Sequence, residues 1–432
     1  MKVPVVVVGA GACGLVAALA AREAGVLVLE RDASPSGSTA LSSGFVPAAG
    51  TRFQRAAGVE DSPERMASDI RNKNKSQSSE KLIEALCRES GPTIEWLADE
   101  HGVPFELVQG FLYPGHSVLR MHRVPEKTGA ALMAALLRAA GGIDLMCSAT
   151  VTEVTPKSIL VERPDGTSEK IEYGSLILAC SGFGGNKAMV KQHLPEIANA
   201  LYFGHTGNQG DAIRWGSALG AAVRHMGAYQ GHGSVATPHG ILITWALMTE
   251  GGIQVNARGE RFSNEHLGYS EQCLPVLEQP GGIAWCIYDE RLHKLGMTFP
   301  DYREANAAGA IKSSFALDGL ENTLRLVEAY SAGKAKDPFG RDFTTKPKLQ
   351  PPYYAVKVTG ALFHTQGGLA IDAEARVLDW NGRPLPNLYA GGGAACGVSG
   401  DHVWGYLSGN GLLAAVTLGR IAGASAIRHL LR

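Results

Sequence analysis

The chain opens on an unbroken β-branched run, Val5 to Val8, followed by a glycine turn. Four apolar residues with no polar alternation predict a strand buried on both faces. An alanine- and leucine-rich helix is predicted over 15–24, stopped by Gly25, and a second buried strand over 26–29 ends at Glu30. Strand, turn, helix and strand in that order make a βαβ unit. Residues 34–50 then carry serine, glycine and proline with little periodicity, which predicts a loop. Helical patterning returns over 81–88, 93–100 and 129–140. Alternation predicts strands over 151–154 and 159–161, a turn at Pro164-Asp165-Gly166 and a return strand over 170–173. A short apolar strand over 176–179 runs into Ser181-Gly182, Leu388 to Ala390 runs likewise into Gly391-Gly392-Gly393, and a final helix starts near Gly409. From about 225 to 360 the loops lengthen and several aromatics appear, the texture of a separate cap.

Composition narrows the classes. With 432 residues, 45% of them hydrophobic, and 40 basic against 41 acidic side chains, the chain is too apolar for a disordered protein. It also lacks the basic excess of a nucleic-acid binder, so no nucleic-acid partner is expected. No apolar run predicted from the sequence reaches the ~20 residues of a membrane helix, so no membrane span is expected. The chain passes from Lys2 straight into its first strand, which favours a cytoplasmic address over an exported one. Seven scattered cysteines, none spaced C-x-x-C, suit neither a disulfide framework nor a metal site, and no metal is expected. The 54 glycines matter more, because glycine collects where backbone must turn sharply or approach a ligand closely.

Gly9-x-Gly11-x-x-Gly14 lies between the first strand and the first helix, with Glu30 closing the second strand. Gly9 permits the tight turn, Gly11 lets backbone approach a pyrophosphate at the helix start, Gly14 lets helix and strand touch, and Glu30 accepts ribose hydroxyls. FAD is favoured over NAD. Arg31 leads into Ser38-Thr39 and Ser42-Ser43-Gly44, a loop suited to lie along a longer cofactor, and two further strand-to-glycine elements exceed what a nicotinamide nucleotide needs.

The order of motifs resembles the flavoprotein of the fumarate reductase and succinate dehydrogenase superfamily, which includes the 3-ketosteroid dehydrogenases. The segments are V-V-V-V-G-A-G-A-C-G, L-I-L-A-C-S-G-F-G-G-N, H-T-G-N-Q-G-D-A-I-R, G-G-I-Q-V-N-A-R-G-E-R-F-S-N-E, H-T-Q-G-G-L and N-L-Y-A-G-G-G followed by G-Y-L-S-G-N-G-L. The resemblance implies an α/β, Rossmann-like FAD-binding domain of the glutathione-reductase type, formed by 1–225 and 361–432, with an α+β capping domain over 226–360. It implies that the last helix aims its N-terminus at the flavin, placing Ser408, Gly409, Asn410, Gly411 and Leu412 against the ring. Val151, Ser181, Gly182, Asp211, Gly392 and Gly393 join the expected cofactor contacts. Members with covalent flavin use a histidine in the first serine-rich loop; here Ser38 and Thr39 stand there, so non-covalent FAD is expected.

Departures from the family pattern point to the chemistry. Where fumarate reductases place a proton-donating arginine shortly after R-F-x-N-E, the register puts Tyr269; where a second arginine clamps a substrate carboxylate, it puts Tyr406. His364, with Arg120 and His122, remains from the carboxylate-binding set. Losing two guanidinium forks removes bidentate dicarboxylate recognition. Two tyrosines, with Ser408 in a Tyr-x-Ser arrangement, are similar to the ketosteroid branch. The resemblance then implies α,β-dehydrogenation of a ketone, or the reverse ene reduction. Tyr269 moves the α-proton, Tyr406 and Ser408 polarise the carbonyl, and hydride passes to the flavin. The alternative is fumarate-like reduction of an unsaturated acid, held by His364 and Arg120. The expected partners are a small carbonyl or unsaturated-acid substrate and an external electron acceptor or donor. Among the remaining aromatics Trp404 is a candidate substrate wall. His116, His205, His232, His239, His266 and His402 read as loop or rim histidines, and Cys13 as a small residue whose thiol the helix N-terminus would acidify.

Overall fold

The computed structural model describes residues 1–431. Its first sheet has eight strands. Five run parallel in the order Asp144–Met146, Val26–Leu29, Lys2–Val8, Ser168–Leu178 and Pro384–Ala390. Val5 to Val7 are fully buried between layers, as their unbroken apolar run requires. The antiparallel pair Thr150–Val154 and Ser158–Glu162 continues onto the first half of Ser168–Leu178. The expected strands over 170–173 and 176–179 are therefore one strand. Its first half alternates, being exposed on one face, and its second half is apolar throughout because it enters the centre of the sheet.

Helices Ala12–Ala21 and Asn410–Leu430 lie together against this sheet, and glycines set their separation. A Cβ on Gly419 would stand 2.5 Å from the Cys13 carbonyl oxygen, and one on Gly423 2.2 Å from that of Ala17. Asn410–Leu430 is long and apolar enough to cross a membrane by length and composition, but here those apolar residues fill the core. The helical stretches expected over 81–88 and 93–100 form one helix, Glu80–Asp99, with Pro92 inside it. Its buried positions, Leu82 through Leu97, continue across the proline, so packing outweighs the one lost hydrogen bond. Helix Pro63–Asn74 has no counterpart in the sequence reading. Its signal was Ser62-Pro63, where Ser62 Oγ accepts from Arg65 N at 3.2 Å and proline occupies the first turn.

The second sheet has seven strands built on the long strand Tyr353–Thr365. Antiparallel neighbours are Tyr229–Ala236 on one side and Ile283–Asp289 on the other, and Leu201–Tyr202 adds in parallel. The register of Tyr229–Ala236 slips between Gln230 and Gly231 and again between His232 and Val235. Those bulges bring this sheet's chemistry to the cavity between the two sheets.

Candidate active site

One cavity runs from the glycine turn to the interior of the second sheet, and its walls include Gly9, Gly11, Glu30, Ser38, Tyr269 and Tyr406. At its first end, Gly9 has φ +103°, and a Cβ there would sit 2.6 Å from the Ala179 carbonyl oxygen. A Cβ on Gly14 would stand 1.8 Å from the Gly9 carbonyl oxygen, so Gly14 serves helix–strand contact and does not line the cavity. A Cβ on Gly11 would meet only Thr39 Oγ1, at 3.5 Å, which leaves a cradle open on the ligand side. Its N-cap residue, Gly11, has no side chain with which to cap the helix behind it, so apart from the Ala12 N–H the helix start offers backbone N–H groups to an anion. Glu30 is oriented by the Ala10 and Asp32 amides, which donate to its two carboxylate oxygens at 2.9 and 3.0 Å. Arg31, Ser42, Ser43, Gly44, Val151, Ser181, Asp211, Gly392 and Gly393 also line this end; Gly182 does not, its Cβ position being blocked by Thr365 Oγ1 at 2.1 Å. Thr39 lines the same end, and its Oγ1 accepts from Ala12 N at 3.0 Å. Ser38 accepts from Asn208 Nδ2 at 2.8 Å, a link to the H-T-G-N-Q-G segment. An open glycine cradle, a helix start with glycine as its N-cap and an oriented carboxylate fit FAD.

Near the middle, Asn410–Leu430 begins at Gly409, whose φ of +85° requires glycine, and this helix start also lacks a side-chain cap. Gly409, Gly411 and Leu412 face the cavity, whereas Asn410 is buried behind them. Ser408, Tyr406 and His364 adjoin this helix start and complete the wall.

Tyr269 reaches the site through the R-F-S-N-E motif. Arg261 donates to Glu265 at 2.7 Å and pairs with Asp337, while Arg341 reaches Glu265 at 3.1 Å, all nearly or fully buried. Burial opposes ionisation of Glu265, but Arg341 and Arg261 hold its pKa down at about 2. This cluster anchors a short turn, Gly268 supplies φ +140°, and Tyr269 follows. The Tyr269 carbonyl accepts from Gly233 N at 3.0 Å, fastening it to the bulged strand. A Cβ on Gly231 would meet Cys273 at 2.6 Å, and one on Gly233 the Gln272 carbonyl oxygen at 2.8 Å, so both glycines are needed for that approach.

The ring of Tyr269 is 6.1 Å from that of Tyr406, which is 5.6 Å from His364. Burial pushes the Tyr269 phenol up to about 12, against the pull of hydrogen bonding to Ser408 and Tyr406. Burial, and then Tyr269 itself, raise Tyr406 well above the ordinary phenol range. Both are neutral donors at neutral pH. Beyond them Phe45, Tyr113, Phe203, Trp245, Phe299 and Phe363 form an aromatic chamber, and Asp301 is its one acidic side chain among the described residues, its pKa raised by burial and then by Glu304. Arg31 and Lys127, the cavity's cations, stand at the dinucleotide end and beside the serine loop.

Several expected assignments fall differently. Arg120 does not face the cavity. It is 1% exposed and pairs with Asp61 at 3.0 Å and Asp69 at 2.6 Å, because only two carboxylates make a guanidinium tolerable at that depth. His122 is also buried outside the cavity, bonded to Thr51 Oγ1 at 2.8 Å and edge-on to Phe53. His116 is no rim residue: its Nε2 donates to the Ser408 carbonyl at 2.9 Å, and its Nδ1 lies 3.5 Å from Arg120. Arg120 thus supports Ser408 from behind. His232, read as a loop histidine, lies between Tyr269 and Phe363, with ring centroids 4.8 and 5.1 Å away. Burial lowers its pKa to about 3, and Nδ1 accepts from Ser234 N at 3.2 Å, which puts the proton on Nε2. The glycines on either side, Gly231 and Gly233, were the available sequence signal. Trp404 stacks on His402 and Lys75 away from the cavity, and Trp245 takes the wall position instead. Cys13 is pushed up to about 12, first by burial and then by Cys180, which overrides the helix terminus.

Residues 4–412 match a family model described as an FAD binding domain. A probable fumarate reductase of Shewanella frigidimarina is 31% identical over 447 residues, covering 99% of this chain and 75% of that protein. An open-conformation flavocytochrome c3 fumarate reductase superposes with TM-score 0.83 at 29% identity, over 100% of this chain and 79% of its own. The 3-ketosteroid-Δ4-(5α)-dehydrogenase of Rhodococcus jostii RHA1, solved with 4-androstene-3,17-dione, superposes with TM-score 0.76 at 26% identity, over 98% and 96%.

Proposed function

Because the chain belongs to the FAD-binding family of fumarate reductases and 3-ketosteroid dehydrogenases, oxidoreductases acting on CH–CH bonds, we propose that it works on the bond beside a neutral carbonyl, by dehydrogenation or by ene reduction. One observation carries this reading: Tyr269, Tyr406 and Ser408 converge where the last helix begins, in a chamber lined by no arginine or lysine among the described residues. FAD supplies the two-electron chemistry, held without a covalent link by Gly9, Gly11, Glu30, the 38–44 loop and the start of Asn410–Leu430. Tyr406 and Ser408 donate to the carbonyl oxygen, where negative charge develops. Such a donor is worth about 2.7–4 kcal/mol in a dry site. Tyr269 exchanges the proton at the α-carbon. As a neutral phenol it is poised to give that proton; taking one requires its phenolate. Reducing equivalents enter or leave through an external carrier.

A second reading, reduction of an unsaturated acid, is favoured by the fumarate reductase relatives, whose identity exceeds that of the ketosteroid enzyme. Against it stand the two neutral tyrosines, which give a substrate carboxylate no cationic partner. The experiment mixes oxidised holoenzyme anaerobically with cyclic ketones, steroids and saturated acids, and reduced holoenzyme with enones and enoates, for wild type and Tyr269→Phe. Flavin bleaching by a ketone, lost in the variant, supports the first reading; reoxidation by enoates alone replaces it with the second. Acid precipitation that leaves flavin in the pellet would overturn non-covalent binding.

A further inference from the structure

Three hydrogen bonds join His364 to the start of the last helix. Gln366 Nε2 donates to His364 Nδ1 at 3.0 Å, Ser399 Oγ donates to Gln366 Oε1 at 2.8 Å, and Asn410 Nδ2 donates to Ser399 Oγ at 3.2 Å. Gln366, Ser399 and Asn410 are 5, 1 and 1% exposed, so water hardly competes for these bonds. The backbone fixes the middle of the relay, because Gln366 N donates to the Ala228 carbonyl at 2.8 Å and Gly397 N donates to that of Gln366 at 2.9 Å. A Cβ on Gly397 would stand 3.2 Å from Gln366 Oε1, which confines the amide.

The polarity follows from the donor count. As it stands, the relay leaves one buried acceptor, Asn410 Oδ1, without a partner. Reversing both amides would satisfy that oxygen and strand an NH2 group instead, and unpaired donors are the rarer and costlier fault. The Thr365 carbonyl, which accepts only from a protonated Nδ1, is the competing partner, and at 3.4 Å it lies farther from Nδ1 than Gln366 Nε2 does at 3.0 Å. With Nδ1 occupied as an acceptor, the ring carries its proton on Nε2. That edge lies over the first turn of the helix: a Cβ on Gly411 would be 2.7 Å from Nε2.

We infer that Gln366 is a positioning residue, which through Ser399 and Asn410 holds His364 as the neutral Nε2–H tautomer. The site thereby receives a neutral donor at the helix start, where an imidazolium would add a full charge beside the helix dipole. The tautomer itself rests only on the relay; its consequence for catalysis rests on the function proposed above.

The test uses holoenzyme labelled with 15N-histidine, in wild type, Gln366→Glu, Gln366→Met and Ser399→Ala. In wild type the His364 signals, assigned by their loss in His364→Gln, should show an unprotonated Nδ1 and a protonated Nε2 at neutral pH. Gln366→Glu replaces the donor with an acceptor, so Nδ1 should become protonated. Gln366→Met should give a mixture of tautomers, and Ser399→Ala a smaller movement in the same direction. A protonated Nδ1 in wild type, or an unchanged His364 pattern in well-folded Gln366→Glu and Gln366→Met, overturns the inference. If the ketone panel fails while the tautomer pattern holds, the proposed function is wrong and the positioning role stands.

Discussion

Raising the pH should separate the two directions of the reaction, because Tyr269 must be a phenolate to take a proton and a phenol to give one. Burial sets its pKa at about 12. Near pH 8 the ionised fraction is then about one part in ten thousand, growing about tenfold per pH unit. Single-turnover ketone dehydrogenation, followed as flavin bleaching in a stopped-flow instrument, should therefore accelerate on the order of a hundredfold between about pH 7.5 and 9.5. Enone reduction by pre-reduced enzyme should show no Tyr269-dependent change over that window, since the phenol stays protonated throughout. Tyr269→Phe should abolish the slope along with most of the rate, while leaving FAD binding intact. A dehydrogenation rate flat over that range, with chemistry shown to be rate-limiting by deuterium at the α-carbon, would refute the phenolate base. So would an equal slope in Tyr269→Phe, which would assign the titration to another group.

Further outcomes follow from the same geometry. Tyr406→Phe should slow turnover by about 10²–10³-fold with little change in FAD affinity, as expected for one oxyanion donor; unaltered turnover would remove Tyr406 from the carbonyl site. Arg120→Ala leaves the Asp61 and Asp69 carboxylates buried without their cation, and urea denaturation should show a loss of about 3–5 kcal/mol, eased by adding Asp61→Asn. Loss of substrate affinity with stability unchanged would restore Arg120 to the substrate. Burial lowers His116, His122 and His364 to about 4 and His232 to about 3, so the unfolded chain binds more protons below its ordinary histidine value. Their stabilisation is present above about pH 6.5 and is lost on acidification toward pH 4, by about 2 kcal/mol per histidine at pH 5; a urea midpoint constant from pH 7 to 5 would contradict this. Asp301→Arg places a cation in the chamber and should tighten enoate binding about tenfold or more, read from flavin spectral perturbation, with neutral enones little affected.

Much of the cofactor half was legible from sequence because its signals are local. Gly9, Gly11 and Gly14 act within six residues, Glu30 ends the adjacent strand, and the apolar run at Val5 to Val8 leaves only a buried strand as its reading. Motif register likewise brought Tyr269, His364, Tyr406 and Ser408 to one cavity from separate segments between residues 269 and 408. Depth and orientation were not legible. Arg120 and His122 share a motif-like loop with nothing to show that Asp61 and Asp69 would claim the guanidinium, and His116 and His232 looked like any polar loop residue. Their roles depend on long-range contacts: a bulge that turns His232 onto Tyr269, and a buried arginine that leans on His116 and so on Ser408. Protonation belongs to the same class. A phenol or an imidazole has an ordinary pKa in the sequence and the Cys13 thiol a lowered one, and only tertiary burial, by withdrawing water from the charged form, decides that they stay neutral.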